Sequence, residues 1–568
     1  MGRKGDRRIE AGTVAPRKGT KGQHGGPLAW TTPLLAVWLL VGLVTLSGCR
    51  TSLPEWWRNG LKVGPDYRRP PAPVAEEWMD ANDPNVKPQG TDYSYWWSVF
   101  GDPILNDLVY EAYQQNLPLK IAGLRVLEAR AQLGVAAGNL FPQQQQFGGT
   151  YTRTKISTSF FPVTAPFPIL DYFDTWRFGL DAAWELDFWG RFRRAIESAQ
   201  ANLDAQIENY DDALVILQAE VAANYIQLRS LEERLELARK NVELQQETLR
   251  IIETRFKIGV VNELDVQQAR ANLAATEALI PTLQIEHRRV QNRLCTLLGL
   301  PPQDLRRRLA GPGKVPPVPP EVVVGVPADL LRRRPDVRSA ERQAAAQCAR
   351  IGVAEADLYP QFSISGTLGR EARHFSQLWD LGSFTGSITP GFRWNVLNYG
   401  RILNNVDAEE ARFQQAVIQY QETVLRAAEE VENAIVAFLR EQVRAKSLEE
   451  GVRATERSVQ LSVRQYEQGF VDYQRVLDSQ RALVLLQDNL AESRGRVALN
   501  LIALYKALGG GWRMRYFDQP QPTRGPEAGE SPPPAGPQPV ERQPAPVTVP
   551  EPPGAAVPTP GSKQPSGP

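Results

Sequence analysis

Between Gly190 and Gly259 the chain runs 68 residues without a glycine or proline, and nothing else in the sequence restricts its fold so strongly. A helix of that length rises roughly 100 Å at 1.5 Å per residue, several times the width of an ordinary domain. Along it Ile207, Leu214, Val221, Leu228, Leu235, Val242, Leu249 and Phe256 recur every seven residues. Leu203, Tyr210, Leu217 and Leu231 form a second seam four residues earlier. The pattern predicts a coiled-coil rod that turns at Gly259.

The chain then repeats itself. Trp184, Gly190 and Arg191 in WELDFWGR recur 210 residues later as Trp394, Gly400 and Arg401 in WNVLNYGR. Tyr210, Val221, Gly259 and Leu298-Gly299 recur as Tyr420, Val431, Gly469 and Leu508-Gly509. Upstream, GVAAGNLFP (134–142) matches GVAEADLYP (352–360) at an offset of 218, so one loop differs by eight residues between two copies of a single unit. A long-period duplication of this kind sets the architecture.

Each unit opens with a helix, near 119–141 and 331–359, and then changes to period two. Trp176, Phe178, Leu180, Ala182, Trp184, Leu186 and Phe188 alternate with Arg177, Gly179, Asp181, Ala183, Glu185 and Asp187. In the second unit Phe362, Ile364 and Leu368 alternate with Ser363, Ser365 and Thr367. The return strand sets Phe384, Ile388, Phe392 and Trp394 against Thr385, Ser387, Thr389 and Arg393. One face is apolar and one is wet. An ordinary half-buried antiparallel sheet has this pattern, and so does a strand crossing a bilayer. Four strands cannot close a membrane barrel, whose smallest single-chain forms have eight, so a membrane sheet here must be shared between copies.

After each rod the chain returns in shorter helices. Residues 263–298, interrupted only by Pro281, and 331–359 together match the rod beside them in length. The expected packing stacks 263–298 on 331–359, and by duplication 472–508 on 119–141. The Pro- and Val-rich stretch 300–330 would form a collar at the join.

The charge is nearly balanced, 65 basic against 64 acidic residues, which argues against a nucleic-acid binder. Three His and three Cys are scattered, with no zinc, Cys–His or CxxC spacing. Cys295 and Cys348 sit in apolar helical text as small buried hydrophobes. No nucleotide-binding loop or nucleophile elbow is present. We therefore expect no catalytic residues, metal site or cofactor, and no enzyme.

Both ends lie outside the fold. Basic residues from Arg3 to Lys21, the apolar run 33–46 and then Ser47-Gly48-Cys49 read as a secretory signal. Leu46-Ser47-Gly48-Cys49 has the form of a bacterial lipobox, which makes Cys49 a lipidation site; Arg50 follows it, not the Asp associated with inner-membrane retention. From residue 520 the tail is roughly one-third proline, too polar and too interrupted to bury a core.

Several long motifs in the right order carry a family resemblance: VGPDYRRP (63–70), WWSVFGDPILNDL (96–108), WELDFWGR (184–191), RFKIGVVNELDVQQA (255–269), LLRRRPDVRSAER (330–342) and LYPQFSISGTLG (358–369). Over about residues 49–512 the chain resembles the outer-membrane efflux protein family, the TolC-like channels, in its NodT-type lipoprotein branch. The resemblance implies a fold that is mainly α with a membrane β-barrel. Two hairpins per protomer contribute to a twelve-stranded barrel shared by a homotrimer, with long coiled-coil helices as a periplasmic α-barrel. It implies, as partners, a periplasmic adaptor (membrane fusion) protein, an inner-membrane RND-type pump and outer-membrane lipids.

The family's tips dock its adaptor, which places docking on Phe256, Gly259, Val260 and Val261 in the first unit and on Tyr466, Gly469, Phe470 and Val471 in the second. A capped helical hairpin uses the same glycine, so the glycines alone do not select this role. Asp265 and Tyr466 match a family gate pair, and Asp478 and Arg481 match ring positions, with Arg481 within i,i+3 reach of Asp478. Val471, Gln474 and Arg475 depart from residues that relatives place there.

The implied organisation is a signal peptide with an extended basic N-region (1–48), a lipidated N-terminal segment (49–102), a first efflux repeat (103–299, hairpin about 145–189), an equatorial linker (300–330), a second repeat (331–512, hairpin about 361–399) and a Pro-rich tail (513–568). The expected function is a passive exit duct of a tripartite efflux pump, lipid-anchored in the outer membrane of a Gram-negative bacterium and reaching into the periplasm. The competing reading is a periplasmic coiled-coil adaptor or scaffold lipoprotein without a pore, whose β domain would lack an outward apolar band.

Overall fold

The structure, a computed structural model, describes residues 51–87, 92–155, 172–311 and 313–516. The signal segment, Cys49 and the Pro-rich tail beyond 516 lie outside the described residues. In chain order the elements are α1 (Leu53–Arg58), β1 (Val86–Lys87), α2 (Pro103–Gln115), α3 (Leu117–Gly138), β2 (Gln144–Lys155), β3 (Tyr172–Leu186), α4 (Arg191–Lys257), α5 (Glu263–Glu277), α6 (Leu279–Leu297), β4 (Val322–Val323), α7 (Leu330–Arg333), α8 (Pro335–Ala356), β5 (Gln361–Ala372), β6 (Phe384–Arg393), α9 (Arg401–Glu467) and α10 (Tyr473–Ala507).

The rods α4 and α9 are each 67 residues long and each begins after a glycine, Gly190 or Gly400, with φ of 80°. Their Ala, Leu, Glu, Gln and Arg content favours helix throughout. Leu203, Leu214, Val221, Leu228 and Leu235 of the expected seam are buried, Val242 and Leu249 are half-buried, and Phe256 is exposed. The seam therefore loosens toward the glycine turn.

The return from the first rod breaks at Ala278, between α5 and α6, rather than at Pro281. A proline ring clashes with the carbonyl four residues earlier, and that residue is Glu277, the last of α5. In the second unit the helix over 331–359 divides at Arg334, which is extended because Pro335 follows.

The stacking partners differ from the expected ones. The end of α6 meets the start of α3: the Asn116 side-chain amide donates to the Leu297 carbonyl at 2.9 Å. A Cβ on Gly299 would stand 2.7 Å from the Gln115 carbonyl oxygen. Likewise α10 ends against α8, where Arg334 donates to the Ala507 carbonyl at 2.9 Å. So 263–298 joins 117–138, and 472–508 joins 335–356, with the two partners exchanged. The physical reason is helix-end chemistry: the last carbonyls of a helix lack intrahelical partners, and Asn116 and Arg334 supply donors. The 300–330 connection is long enough to carry the chain to a different column.

At this level the N-terminal segment and the 300–330 segment wrap the helices together. β1 pairs in parallel with β4. The Tyr93 hydroxyl donates to the Val323 carbonyl at 2.8 Å, and the Trp78 indole to that of Gly325 at 3.0 Å. Trp96 stacks on Tyr505 with ring centroids 5.6 Å apart. Trp96, Phe100, Leu105, Tyr225 and Phe438 belong to one core here.

The four long strands form one antiparallel sheet in the order β2-β3-β5-β6. Directly paired residues share a face, so the register decides whether the two alternating patterns agree. They do: Phe147, Leu180 and Leu368 lie in one row, and Trp184, Ile364 and Pro390 in another. The opposite face carries the row Gln146, Asp181, Thr367 and Ser387. Trp184 donates to the Leu140 carbonyl at 3.1 Å and Trp394 to that of Leu358 at 2.9 Å, so equivalent tryptophans fix both hairpins to the ends of α3 and α8.

Candidate functional site

Two surfaces of the protomer stand out, the sheet and the pair of tips at the far ends of the rods. On the sheet, Leu180, Leu368, Ile388 and Phe392 are 51%, 54%, 82% and 70% exposed although they share the apolar face. Among the described residues no α-helix packs across either face, and β2 and β6 have no strand neighbour on their outer edges. Only the turn 375–379 lies against the apolar face, where Phe375 meets Trp176 at 5.1 Å; a greasy face left mostly bare, with two open edges, is unstable in water as it stands.

The tips are built by duplicated turns. Gly259 and Gly469 have φ of 76° and 79°. The Val260 N–H donates to the Arg255 carbonyl at 2.9 Å and the Phe470 N–H to that of Gln465 at 2.9 Å, closing the same left-handed helix stop twice. A Cβ at either glycine would meet nothing within 4 Å. Glycine is thus required by backbone conformation alone. Asn262 accepts from the Asp265 N–H at 3.1 Å and starts α5.

The expected docking residues divide between surface and core. Phe256, Val260 and Phe470 are 44%, 60% and 77% exposed. Val261 and Val471 are half-buried against a small core of Ile252, Val266, Ala269, Tyr466, Tyr473, Val476 and Leu477. That core ties the first hairpin to the second within one protomer.

Tyr466 lies in this core, 6.0 Å from the Tyr473 ring. Burial pushes the Tyr466 phenol up against the opposing pull of Arg255, while the Asp265 carboxylate adds to the rise. Burial pushes Tyr473 up to about 12. Both phenols therefore stay neutral at physiological pH. Asp265 acts on Tyr466 through its charge, and no hydrogen bond joins the two. The structure gives the bridging role to Arg255, which donates to the carbonyls of Tyr466 at 2.7 Å and Glu467 at 2.8 Å. Its guanidinium carbon lies 4.7 Å from the Tyr466 ring centroid.

Asp478 and Arg481 are not paired with each other. Gln474 donates to Asp478 at 2.9 Å, while Arg481 crosses to Asn272 on α5 at 3.2 Å. Asn272 belongs to a buried polar seam with Asn241, Gln245, Thr248, Thr276 and Gln480. Gln480 donates to Thr248 at 2.8 Å, and Asn241 to Gln487 at 2.9 Å. The sequence reading singled out neither Arg255 nor this seam. A signal existed: Asn241, Gln245 and Thr248 follow four-three spacing, a polar stripe beside the apolar one.

Comparison with known proteins agrees with this geometry. The sequence model of the outer membrane efflux protein family matches residues 108–300 and 326–510. Nodulation protein T of Rhizobium leguminosarum bv. trifolii is 30% identical over 464 residues, covering 80% of this chain and 95% of the relative. The pyoverdine export outer membrane protein OpmQ of Pseudomonas putida is 32% identical over 431 residues, covering 75% and 90%. Among solved structures, the outer-membrane channel OprN superposes with a TM-score of 0.74 at 35% identity, covering 79% of this chain and 99% of that one. The open state of the Neisseria gonorrhoeae MtrE outer membrane channel gives 0.68 at 25% identity, covering 79% and 98%. With a match over most of both repeats, the chain belongs to the outer membrane efflux protein family.

Proposed function

We propose that this chain is the outer-membrane exit duct of a tripartite efflux system, conducting passively what an inner-membrane pump and a periplasmic adaptor deliver. The observation that carries the reading is the sheet: one face apolar and exposed, one polar, both edges open, mounted on rods roughly 100 Å long at 1.5 Å per residue. Unpaired edges in lipid cost several kcal/mol per backbone group, so β6 of one copy must pair with β2 of the next until the sheet closes. Three copies give twelve strands, an even number within the range of membrane barrels. The polar rows at Asp181 and Thr367 then line a wet lumen, and the apolar rows face lipid. A pore-less adaptor would need protein over the whole apolar face, and among the described residues only the 375–379 turn lies on it, with Phe375 against Trp176 and Phe178 near one end of the strands.

On this reading Cys49 carries the lipid anchor, and two or three acyl chains would hold it stably. The tips around Phe256, Val260, Phe470 and Val471 receive the adaptor, and Asp265, Asp478 and Arg481 line the periplasmic constriction, with Tyr466 buried behind them as part of the gate. The test uses the two sheet faces. Leu180→Arg, near mid-strand on the apolar face, should cost about 2–4 kcal/mol at the bilayer midplane and abolish assembly. Ala183→Arg, on the opposite face, should assemble and give discrete conductance in planar bilayers. Equal tolerance of both variants, or no conductance from wild type and Ala183→Arg alike, would sink the duct.

A further inference from the structure

Helix α1, LPEWWR at Leu53–Arg58, follows Cys49 by only a few residues and fully buries none of its own residues. We infer that α1 is a membrane-interface anchor of its own, which sets the Leu53 and Trp57 side chains among the phospholipid acyl chains of the leaflet nearest the periplasmic rods. The inference rests on the barrel reading and adds a lipid-binding element outside the strands.

The helix is held rigidly against the periplasmic end of the sheet. Trp56 stacks on Phe188 at 5.3 Å and lies 5.4 Å from Trp189. Phe188 in turn packs on Phe362 at 5.3 Å, and Phe362 on Phe392 at 6.2 Å. Phe362 and Phe392 pair in register on the apolar face of the sheet. An unbroken line of rings therefore runs from α1 onto the surface that meets lipid. Trp189 adds a bond from its indole to the Pro360 carbonyl at 2.8 Å.

Arg193 fixes the other end of the helix. It donates to the Gly60 and Leu61 carbonyls at 2.7 and 2.8 Å while its Nε bonds Asp187 at 2.8 Å. Gly60 and Leu61 both have positive φ, 69° and 62°. A leucine in that conformation is uncommon; here Arg193 and the Leu61 N–H bond to the Trp56 carbonyl at 2.8 Å hold it. The result is a short helix with one orientation.

That orientation points two large apolar side chains away from the protein. Leu53 and Trp57 are 66% and 73% exposed, and their i,i+4 spacing puts them on the same side of the helix. A rigid Trp beside an apolar band, at the level where strands give way to helices, matches the interfacial belts of membrane proteins. Continuity with the lipid-facing rings selects lipid over a protein partner as the occupant.

A photoreactive benzophenone amino acid placed singly at 53, 57, 388 and 449 in the full-length protein, reconstituted in phosphatidylethanolamine vesicles, tests this. Ile388 is on the apolar face, and Glu449 is a half-buried, charged position far along the second rod from the sheet. Phospholipid adducts are expected at 53, 57 and 388 and not at 449, read by mass spectrometry. The adducts at 53 and 57 should persist in a Cys49→Ser background, because ring stacking and Arg193 hold the helix without acylation. Adducts at 388 with none at 53 and 57, or cross-links at 53 and 57 to a second copy of the chain, would overturn the inference. No adduct at 388 would overturn the barrel reading and this inference with it.

Discussion

Asn116 joins two helices end to end: its amide donates to the Leu297 carbonyl at 2.9 Å while its side-chain oxygen accepts from the Leu119 N–H at 2.9 Å. One buried side chain thus satisfies the last turn of α6 and the first turn of α3. Arg334 and Ala507, which stand 218 and 210 residues further on, repeat the relationship in the second unit. These are the same two offsets as in the sequence duplication, so the junction was inherited twice with a different donor in each copy. Asn116→Ala removes donor and acceptor together and should cost about 1–3 kcal/mol, seen as a lower midpoint for loss of helical circular dichroism. Arg334→Lys keeps the charge but loses the two-pronged bond to Asp336, and should lower the midpoint as well. Midpoints unchanged in both variants would mean the junctions do not hold the columns together.

Arg255 is the next point of test. It caps the C-terminus of α9, where carbonyls lack partners and a cation is favoured, and it does so from the other hairpin. Arg255→Ala should free the second tip from the first while leaving the Gly259 turn intact. The expected outcome in planar bilayers is a higher resting conductance than wild type, with assembly unchanged. Arg255→Lys should be intermediate, since one ammonium cannot span both carbonyls as a guanidinium does. Wild-type conductance in both variants would place the closure elsewhere.

Asp211 gives a prediction about pH. Its side chain is fully buried on α4, 3.1 Å from Arg515. Burial pushes its carboxyl up to about 7, outweighing the pull of Arg515, with Glu208 adding to the rise. A raised folded pKa means that the folded state holds the proton more tightly than the unfolded one, where it titrates near ~3.9. The contribution to stability is then fully present below about pH 4 and is lost as pH rises through about 7, worth at most about 4 kcal/mol. Between pH 4 and pH 8 wild type should lose stability relative to Asp211→Asn, measured as the difference between their thermal midpoints. A difference that stays constant across that range contradicts the assignment.

Much of this architecture was legible in the residues. Absence of glycine and proline fixed the first rod, duplication gave the second despite its interior Gly451, and the two-residue period placed Leu180, Leu368 and Phe392 on one face independently of register. The stacking order was not legible, because the 300–330 connection hides which column the chain enters next and the deciding contacts are single polar side chains, Asn116 and Arg334. At the tips the glycines announced the turns, while Arg255 and the pairing of Arg481 with Asn272 depended on how two distant hairpins lie side by side. Spacing along one helix put Arg481 near Asp478; tertiary packing offered it a buried amide across the seam.

In the proposed duct each chain supplies part of a closed sheet, and covalent links between the sheet edges of neighbouring copies report on this. Cysteine pairs scanned along the outer edges, one on β2 and one on β6, should oxidise between neighbouring copies in outer-membrane preparations, in a background where buried Cys295 and Cys348 are replaced by Ala. On denaturing gels a shared twelve-stranded sheet gives a ladder of linked dimers and trimers that stops at three, and no ladder when the same pair is moved to the inner strands β3 and β5. A ladder that runs past three, or edge cysteines that never link copies at any register, would contradict a barrel shared by three protomers.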